Sequence, residues 1–440
     1  MTDHTSHSVL ILGAGLTGTA IGHFLSTQGH RVTLLDHPSW QDGYGTDADA
    51  PLPIVFGGYR ETWRLLRTIE NSTSAQANRT IPLAFRLPDG QVAVYQSPRL
   101  PGALQWVTGL FSFRGLPRHD RWKLLSYMEQ IWEQALTLPA DLDNRLAHDW
   151  LASIGQSPES CNRIWSPLSR WLTGNSLEQL SAAVFVRHLS TLFLGQATDA
   201  RLTYLHGTIG DRMIEPMKER LERHNCRFLS ETEEPLIRFG RNGITGIRLH
   251  NGSILDAQWY IAALPHRKLL TLIPEHLLTR YAYFAQMIEL ETIPAITVSF
   301  TQSSPPPSPR LLLCSDQPFH QLTVTPSGPG EVRYRLSAVS NQALADLRDE
   351  QLIDLGRTEL HLLSPDTARN AFLSEDVTYH DQAALSLKPG MALRRPIQQS
   401  PVPNFLIAGA WTDTGWPPAI ESALISARRC AEIVSGRNDH

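Results

Sequence analysis

The chain has 440 residues, 42% of them hydrophobic and 19% charged, with a formal net charge of −4. That balance suits a globular protein of two or three domains and supplies no basic field for nucleic acid, so no nucleic-acid partner is expected. The four cysteines (Cys161, Cys226, Cys314 and Cys430) lie far apart with no C-x-x-C pair; with no signal-peptide pattern and no run of 18 apolar residues, this predicts a cytoplasmic protein in a reducing compartment.

In chain order, the apolar run at 9–12 reads as a strand that stops at Gly13. The turn Gly13-Ala14-Gly15-Leu16-Thr17-Gly18 follows, and then a helix with Ala20, Ile21, Phe24 and Leu25 on one face. Each glycine has a physical role in a dinucleotide-binding turn. Gly13 permits the tight exit from the strand, Gly15 lets the backbone approach a pyrophosphate, and Gly18 lets the helix lie close to the strand. The free N–H groups at the helix start, around Leu16 and Thr17, face the phosphates. Gly29 ends the helix, and a second strand at 31–35 delivers Asp36 about 20 residues beyond the glycines, where a ribose hydroxyl pair is held.

Residues 42–53 are turn-rich, 61–70 read as helix, and 81–97 as short strands around the Asp89-Gly90 turn. The region 99–195 is mostly helical. Within it, the uncharged stretch 100–113 carries Trp106, Phe111 and Phe113 and is followed by Arg114, Arg118, Arg121 and Lys123. Such a segment is either a buried helix with a solvated flank or one that rests in a bilayer interface, a peripheral contact near Trp106. A helix at 211–224 leads to short strands and the Asn251-Gly252 hairpin, a β-meander feeding the apolar strand 259–263. The proline-rich 303–309 stretch must be a surface loop. Runs at 310–340 and 376–387 suggest a second sheet.

The closing segment repeats the opening logic. Residues 404–409 form a buried strand ending in glycine, 410–418 a loop, and 419–434 an amphipathic helix with Pro417 and Pro418 in its first turn. A helix N-terminus favours an electron-rich group, such as the pyrimidine side of a reduced flavin. This places Gly409, Ala410, Trp411, Pro418, Ala419 and Ile420 beside a cofactor. Phosphate-type turns at both chain ends, with a meander between, fit a discontinuous flavoprotein better than a contiguous nicotinamide domain. The expected fold is α/β: a Rossmann-type FAD-binding domain from 1–60, 200–268 and 400–440, and an α+β substrate domain from 61–199 and 269–399.

The residues that carry a family likeness run along almost the whole chain. They are the Gly13–Gly18 turn; Gly57-Gly58-Tyr59-Arg60-Glu61-Thr62 before Leu65-Leu66; the 97–101 stretch; Trp165-Ser166-Pro167-Leu168; Leu180-Ser181-Ala182-Ala183; and the block from Phe405 to Glu421. They resemble the amine-oxidase and phytoene-desaturase superfamily of flavoproteins and, within it, the hydroxysqualene dehydroxylase family (squalene-associated FAD-dependent desaturases). The resemblance implies bound FAD, a lipophilic isoprenoid substrate and reductive dehydroxylation of hydroxysqualene to squalene, ahead of hopanoid or sterol synthesis. That reaction needs a hydride delivered to carbon, a stabilised leaving hydroxyl and a dry pocket. Tyr59, Arg60 and Asp413 are the candidates for polar, catalytic help; a helix start and a loop cap are their plain structural alternatives.

The sequence departs from the family pattern at four places. Residues 39–45 lack a Gly-Gly-Arg motif, and 49–53 lack an Asp-x-Gly-Gln-His stretch. Glu233 stands where an apolar residue packs near the adenine, and Ala410 stands where the closing strand has Asp. Three readings stay open: an FAD enzyme of isoprenoid metabolism, a family member that keeps the fold without flavin chemistry and binds a related enzyme, and another amine-oxidase or desaturase-type enzyme. No metal site is expected, because His188, His206 and His266 have no ligand spacing to cysteines or acids. Glu231, Glu233 and Glu234 read as a solvated turn.

Overall fold

The apolar run after Ser8 has no polar alternation, which is the pattern of a strand covered on both faces. In the computed structural model it becomes β1 (Ser8–Leu12), with Ile11 and Leu12 fully buried. The structure describes residues 6–40, 53–70, 78–96, 103–133, 141–193, 195–196, 198–305, 308–315, 317–339 and 341–436, the side chains of 103–106 and 128–133 excepted. Helix α1 (Leu16–Thr27) returns the chain to β2 (Arg31–Asp36), with Gly29 in the left-handed region at φ +86° just past the helix end. Further along come α2 (Arg60–Ile69), β3 (Arg227–Ser230), β4 (Trp259–Ala262), β5 (Phe405–Ile407) and α3 (Ile420–Val434).

These five strands make one parallel sheet in the order β5-β4-β1-β2-β3. The two ends of the chain thus share one sheet, with β4 between β1 and β5. α1 and α3 pack together, and Nε2 of His30 meets Ser435 Oγ at 3.1 Å. The predicted meander is present as Leu236–Gly240, Gly243–Arg248 and Ile254–Leu255, antiparallel. Asn404 ties it to β5: its Oδ1 accepts from the Ile244 N–H at 2.8 Å and its Nδ2 donates to the Ile244 carbonyl at 2.9 Å.

A seven-stranded sheet forms the other layer, in the order Phe372–Leu385, Thr292–Ser303, Glu331–Val339, Gln321–Gly328, Arg310–Cys314, Leu83–Arg86 and Val92–Tyr95. It is antiparallel except where Arg310–Cys314 runs parallel to Leu83–Arg86. Val298, Phe300, Leu336, Leu352 and Leu360 form a separate core between this sheet and the helix Asp349–Leu363. The main core spans the parallel sheet and the helical region, through Trp150, Trp165 and Phe185. A short antiparallel sheet of Ile54–Phe56, Leu202–Tyr204 and Arg79–Ile81 lies at the root of α2. Among the described residues no helix is long and apolar enough to cross a membrane.

Candidate functional site

The opening turn has the geometry its residue types demand. Gly13 sits at φ +96°, and a Cβ there would stand 2.6 Å from the Ala263 carbonyl oxygen. At Gly18 a Cβ would stand 1.9 Å from the Gly13 carbonyl oxygen, so this glycine sets how closely α1 lies on the strand turn. Gly15 differs: a Cβ there meets nothing within 4 Å. It is the N-cap of α1, with no side-chain cap, and open space lies before the first N–H groups of the helix, at Leu16, Thr17 and Gly18. Asp36, at the end of β2, accepts a hydrogen bond from the Ala14 N–H at 3.3 Å, which brings its carboxylate to the same turn. Uncapped helix N–H groups over an open backbone, with an acid alongside, fit a pyrophosphate and a ribose.

The closing block meets this turn across the sheet. Gly409 lies at φ +150°, where a Cβ would stand 2.6 Å from Trp411 Nε1, and its N–H donates to Ser426 Oγ at 3.0 Å. The Trp411 indole donates to the Leu264 carbonyl at 2.9 Å. The organising residue is one that sequence reading missed, Arg395. Its guanidinium donates to the carbonyls of Ala410 (2.9 Å), Trp411 (3.1 Å), Thr412 and Trp416 (2.6 Å). It is buried, and desolvation pulls its pKa down to about 10, against the pull of Asp413. Ala410 carries no side-chain acceptor, yet its carbonyl takes hydrogen bonds from both Arg395 and Ser422 Oγ (2.9 Å), so the loop keeps its shape without an aspartate there. The expected placement of the prolines needs correction. Pro417 and Pro418 precede the helix, Ala419 is its N-cap in extended conformation, and α3 starts at Ile420. The Arg395 bonds hold 410–416 as a separate loop, and the prolines continue that loop.

Tyr59 is buried at the start of α2 and meets Trp416 edge-on, with ring centroids 5.4 Å apart. Phe56 touches Tyr59, and Trp171 touches Phe56, so the turn and the closing loop share one aromatic wall. Burial, with the nearby Glu421, pushes the Tyr59 phenol far above its ordinary range, so it stays protonated. Glu421, the first acid of α3, is fully buried and caps α2. It accepts from the N–H groups of Glu61 (2.9 Å) and Thr62 (3.0 Å) and from Thr62 Oγ1 (2.7 Å). Burial raises its pKa, and those hydrogen bonds lower it in part.

The structure gives Arg60 and Asp413 partners of their own. Arg60 is 56% exposed and pairs with Asp199 at 2.7 Å, while Gly57 and Gly58 N–H groups bond the carbonyls of Arg201 and Asp199. It fastens the Gly57–Gly58 turn rather than joining the aromatic wall. Asp413 Oδ1 accepts from the Gly415 N–H at 3.0 Å, a local turn within the closing loop. Glu233 is exposed and pairs with His250 at 2.5 Å. Residues 41–52, which hold most of the altered motif positions, and the Trp106 side chain lie outside the described residues. His188, dismissed as a metal ligand from spacing, is fully buried with its ring against Trp416; no sequence pattern signalled this.

The comparisons with known proteins agree with this geometry. The family profile described as flavin containing amine oxidoreductase matches residues 39–435. A zeta-carotene desaturase of Synechocystis sp. is 24% identical, over 97% of this chain and 96% of its own length. A 15-cis-phytoene desaturase of Solanum lycopersicum is 22% identical, over 97% of this chain and 77% of its own. Solved structures share the fold: a redesigned putrescine oxidase at TM-score 0.72 and 13% identity, covering 98% of this chain and 99% of that one. Another is a putative protoporphyrinogen oxidase of Exiguobacterium sp., at 0.64 and 15% identity, covering 99% of this chain and 100% of that one. The phosphate turn, the buried closing loop and the match over 39–435 converge on one statement: the chain belongs to the flavin containing amine oxidoreductase family, an α/β oxidoreductase whose cofactor is FAD.

Proposed function

We propose that the protein reduces an isoprenoid alcohol, hydroxysqualene, to the hydrocarbon squalene. The observation that carries this reading is the contiguous aromatic wall of Trp171, Phe56, Tyr59 and Trp416, set between the α2 turn and the closing loop of the flavin cradle. An apolar chain is matched by such rings, with few polar groups to desolvate. Two relatives named for carotenoid precursors support an isoprenoid class.

FAD, when bound, supplies hydride transfer. The turn at Gly13, Gly15 and Gly18 would hold its pyrophosphate and Asp36 its ribose, while the N-terminal end of α3 would favour negative charge on the ring system. Tyr59 keeps its proton and can donate a hydrogen bond to an oxygen. The ring wall excludes water, so that positive charge developing at carbon is not captured as an alcohol again. In the balanced reaction the C–O bond breaks, a C–H bond forms, and the hydroxyl leaves as water with a proton. The two electrons come from the reduced cofactor, which an external donor must restore.

The substrate is insoluble in water, and one surface feature suits its delivery. Phe111 and Trp122, 43% and 60% exposed, pair edge-on at 5.1 Å, with exposed Arg114, Arg118 and Lys123 nearby. Exposed aromatic rings beside cations favour an anionic lipid surface. Chemically reduced, FAD-loaded protein mixed anaerobically with hydroxysqualene is expected to give one squalene per FAD; alcohol recovered intact would refute the reading. The named relatives favour a second reading, a desaturase working in the oxidative direction. Turnover of phytoene by the oxidised protein would establish it in place of the first.

A further inference from the structure

Among the described residues, several buried polar atoms lack a hydrogen-bond partner, but only His188 contributes two, both of its ring nitrogens. His188 lies on the helix Ala182–Phe193 and is 1% exposed. Its ring stands 6.3 Å from that of Trp416, at 82°, and Trp416 in turn meets Tyr59. The neighbouring Arg187 is close enough to depress the Arg395 pKa, so this end of the helix borders the closing loop. Burial alone brings the His188 pKa down to about 4, which leaves the ring neutral near pH 7. A neutral imidazole presents one N–H donor and one acceptor. Buried polar groups are nearly always paired, and an apolar side chain of the same shape would pack here without the desolvation cost.

We infer that His188 is the hydrogen-bond partner of a hydroxyl group on an otherwise apolar ligand, so that the site prefers an isoprenoid alcohol to a hydrocarbon of the same length. The inference rests on the isoprenoid reading above and names the residue that meets the oxygen. His188 donates to the hydroxyl oxygen through one nitrogen or accepts its proton through the other, and so holds the C–O bond in a fixed direction. Being neutral, it positions the hydroxyl and does not act as the proton source.

The test uses FAD-loaded protein with farnesol and farnesene as probes, and binding is read by quenching of tryptophan fluorescence. The unaltered protein is expected to bind farnesol about tenfold more tightly than farnesene, the worth of roughly one buried hydrogen bond. His188→Leu should lose that preference with farnesene affinity unchanged, and His188→Gln, which keeps a donor and an acceptor, should recover part of it. Histidine-selective ¹⁵N spectra of the unaltered protein give a second measurement that needs no variant, with the His188 ring resonances shifting on adding farnesol and not farnesene. Equal affinity for the two probes, a preference that survives in His188→Leu, or ring resonances blind to farnesol overturns the assignment of His188 alone. Binding of neither probe overturns the isoprenoid reading itself.

Discussion

At the scale of single residues, the three glycines of the opening turn separate ligand binding from folding. Gly13 and Gly18 have backbone where a Cβ would go, whereas Gly15 has open space. Gly15→Val should therefore fold with near-parental stability and lose FAD, read as flavin absorbance per protein after gel filtration. Gly13→Ala should instead cost about 1–3 kcal/mol of stability, from the positive φ and the Ala263 carbonyl. Flavin content unchanged in Gly15→Val would contradict the phosphate turn. These roles were legible in the sequence, because glycine spacing after an apolar strand encodes local backbone geometry. The local turn at Asp413 matches the loop cap that the sequence offered, but the partner of Arg60 was not legible. Asp199 is 139 positions from Arg60, and no periodicity links residues so far apart.

At the scale of elements, the closing loop depends on one buried cation. Arg395 holds the carbonyls of Ala410, Trp411, Thr412 and Trp416, four acceptors on a loop with little regular structure of its own. Arg395→Met would leave buried carbonyls unsatisfied, each at about 1–3 kcal/mol. A loss of roughly 3–5 kcal/mol is expected, measured by chemical unfolding, with weaker FAD retention in whatever remains folded. A loss below 1 kcal/mol would show that the loop holds itself. The sequence revealed the strand, loop and helix here because each has a local signature. It hid Arg395 and the capping of α2 by Glu421, which are long-range pairings: Glu421 lies 360 positions from Glu61. It also misplaced Pro417 and Pro418, whose fixed φ suits a helix start and a loop equally well.

At the scale of the whole molecule, four of the described histidines, His23, His188, His266 and His320, are buried and held neutral by desolvation. Desolvation brings His23 and His188 down to about 4 and His320 to about 3, from 6.5. Lowered folded-state values mean that the unfolded chain binds more protons below pH 6.5, so the stability present above that pH is lost as pH falls toward 4. Each full proton contributes about 1.4 kcal/mol per pH unit. Buried Glu421 and Glu359, raised by burial, work in the opposite sense just above pH 4.5. His320→Gln isolates one term: its stability should fall less steeply than the parent's between pH 6.5 and 5, and parallel curves would refute the assignment. The exposed pair Phe111 and Trp122 gives the molecule one aromatic surface next to cations. Trp122→Ser should lower co-sedimentation with phosphatidylserine vesicles several-fold without changing flavin content, whereas unchanged sedimentation would remove the lipid contact from the account.

The flavin cradle is built from the two ends of the chain, and the absorbance spectrum of the purified protein tests it most directly. The visible absorption bands of an oxidised flavin are expected, at about one FAD per chain, either as isolated or after adding FAD and removing the excess. A colourless protein that takes up no added FAD would contradict it.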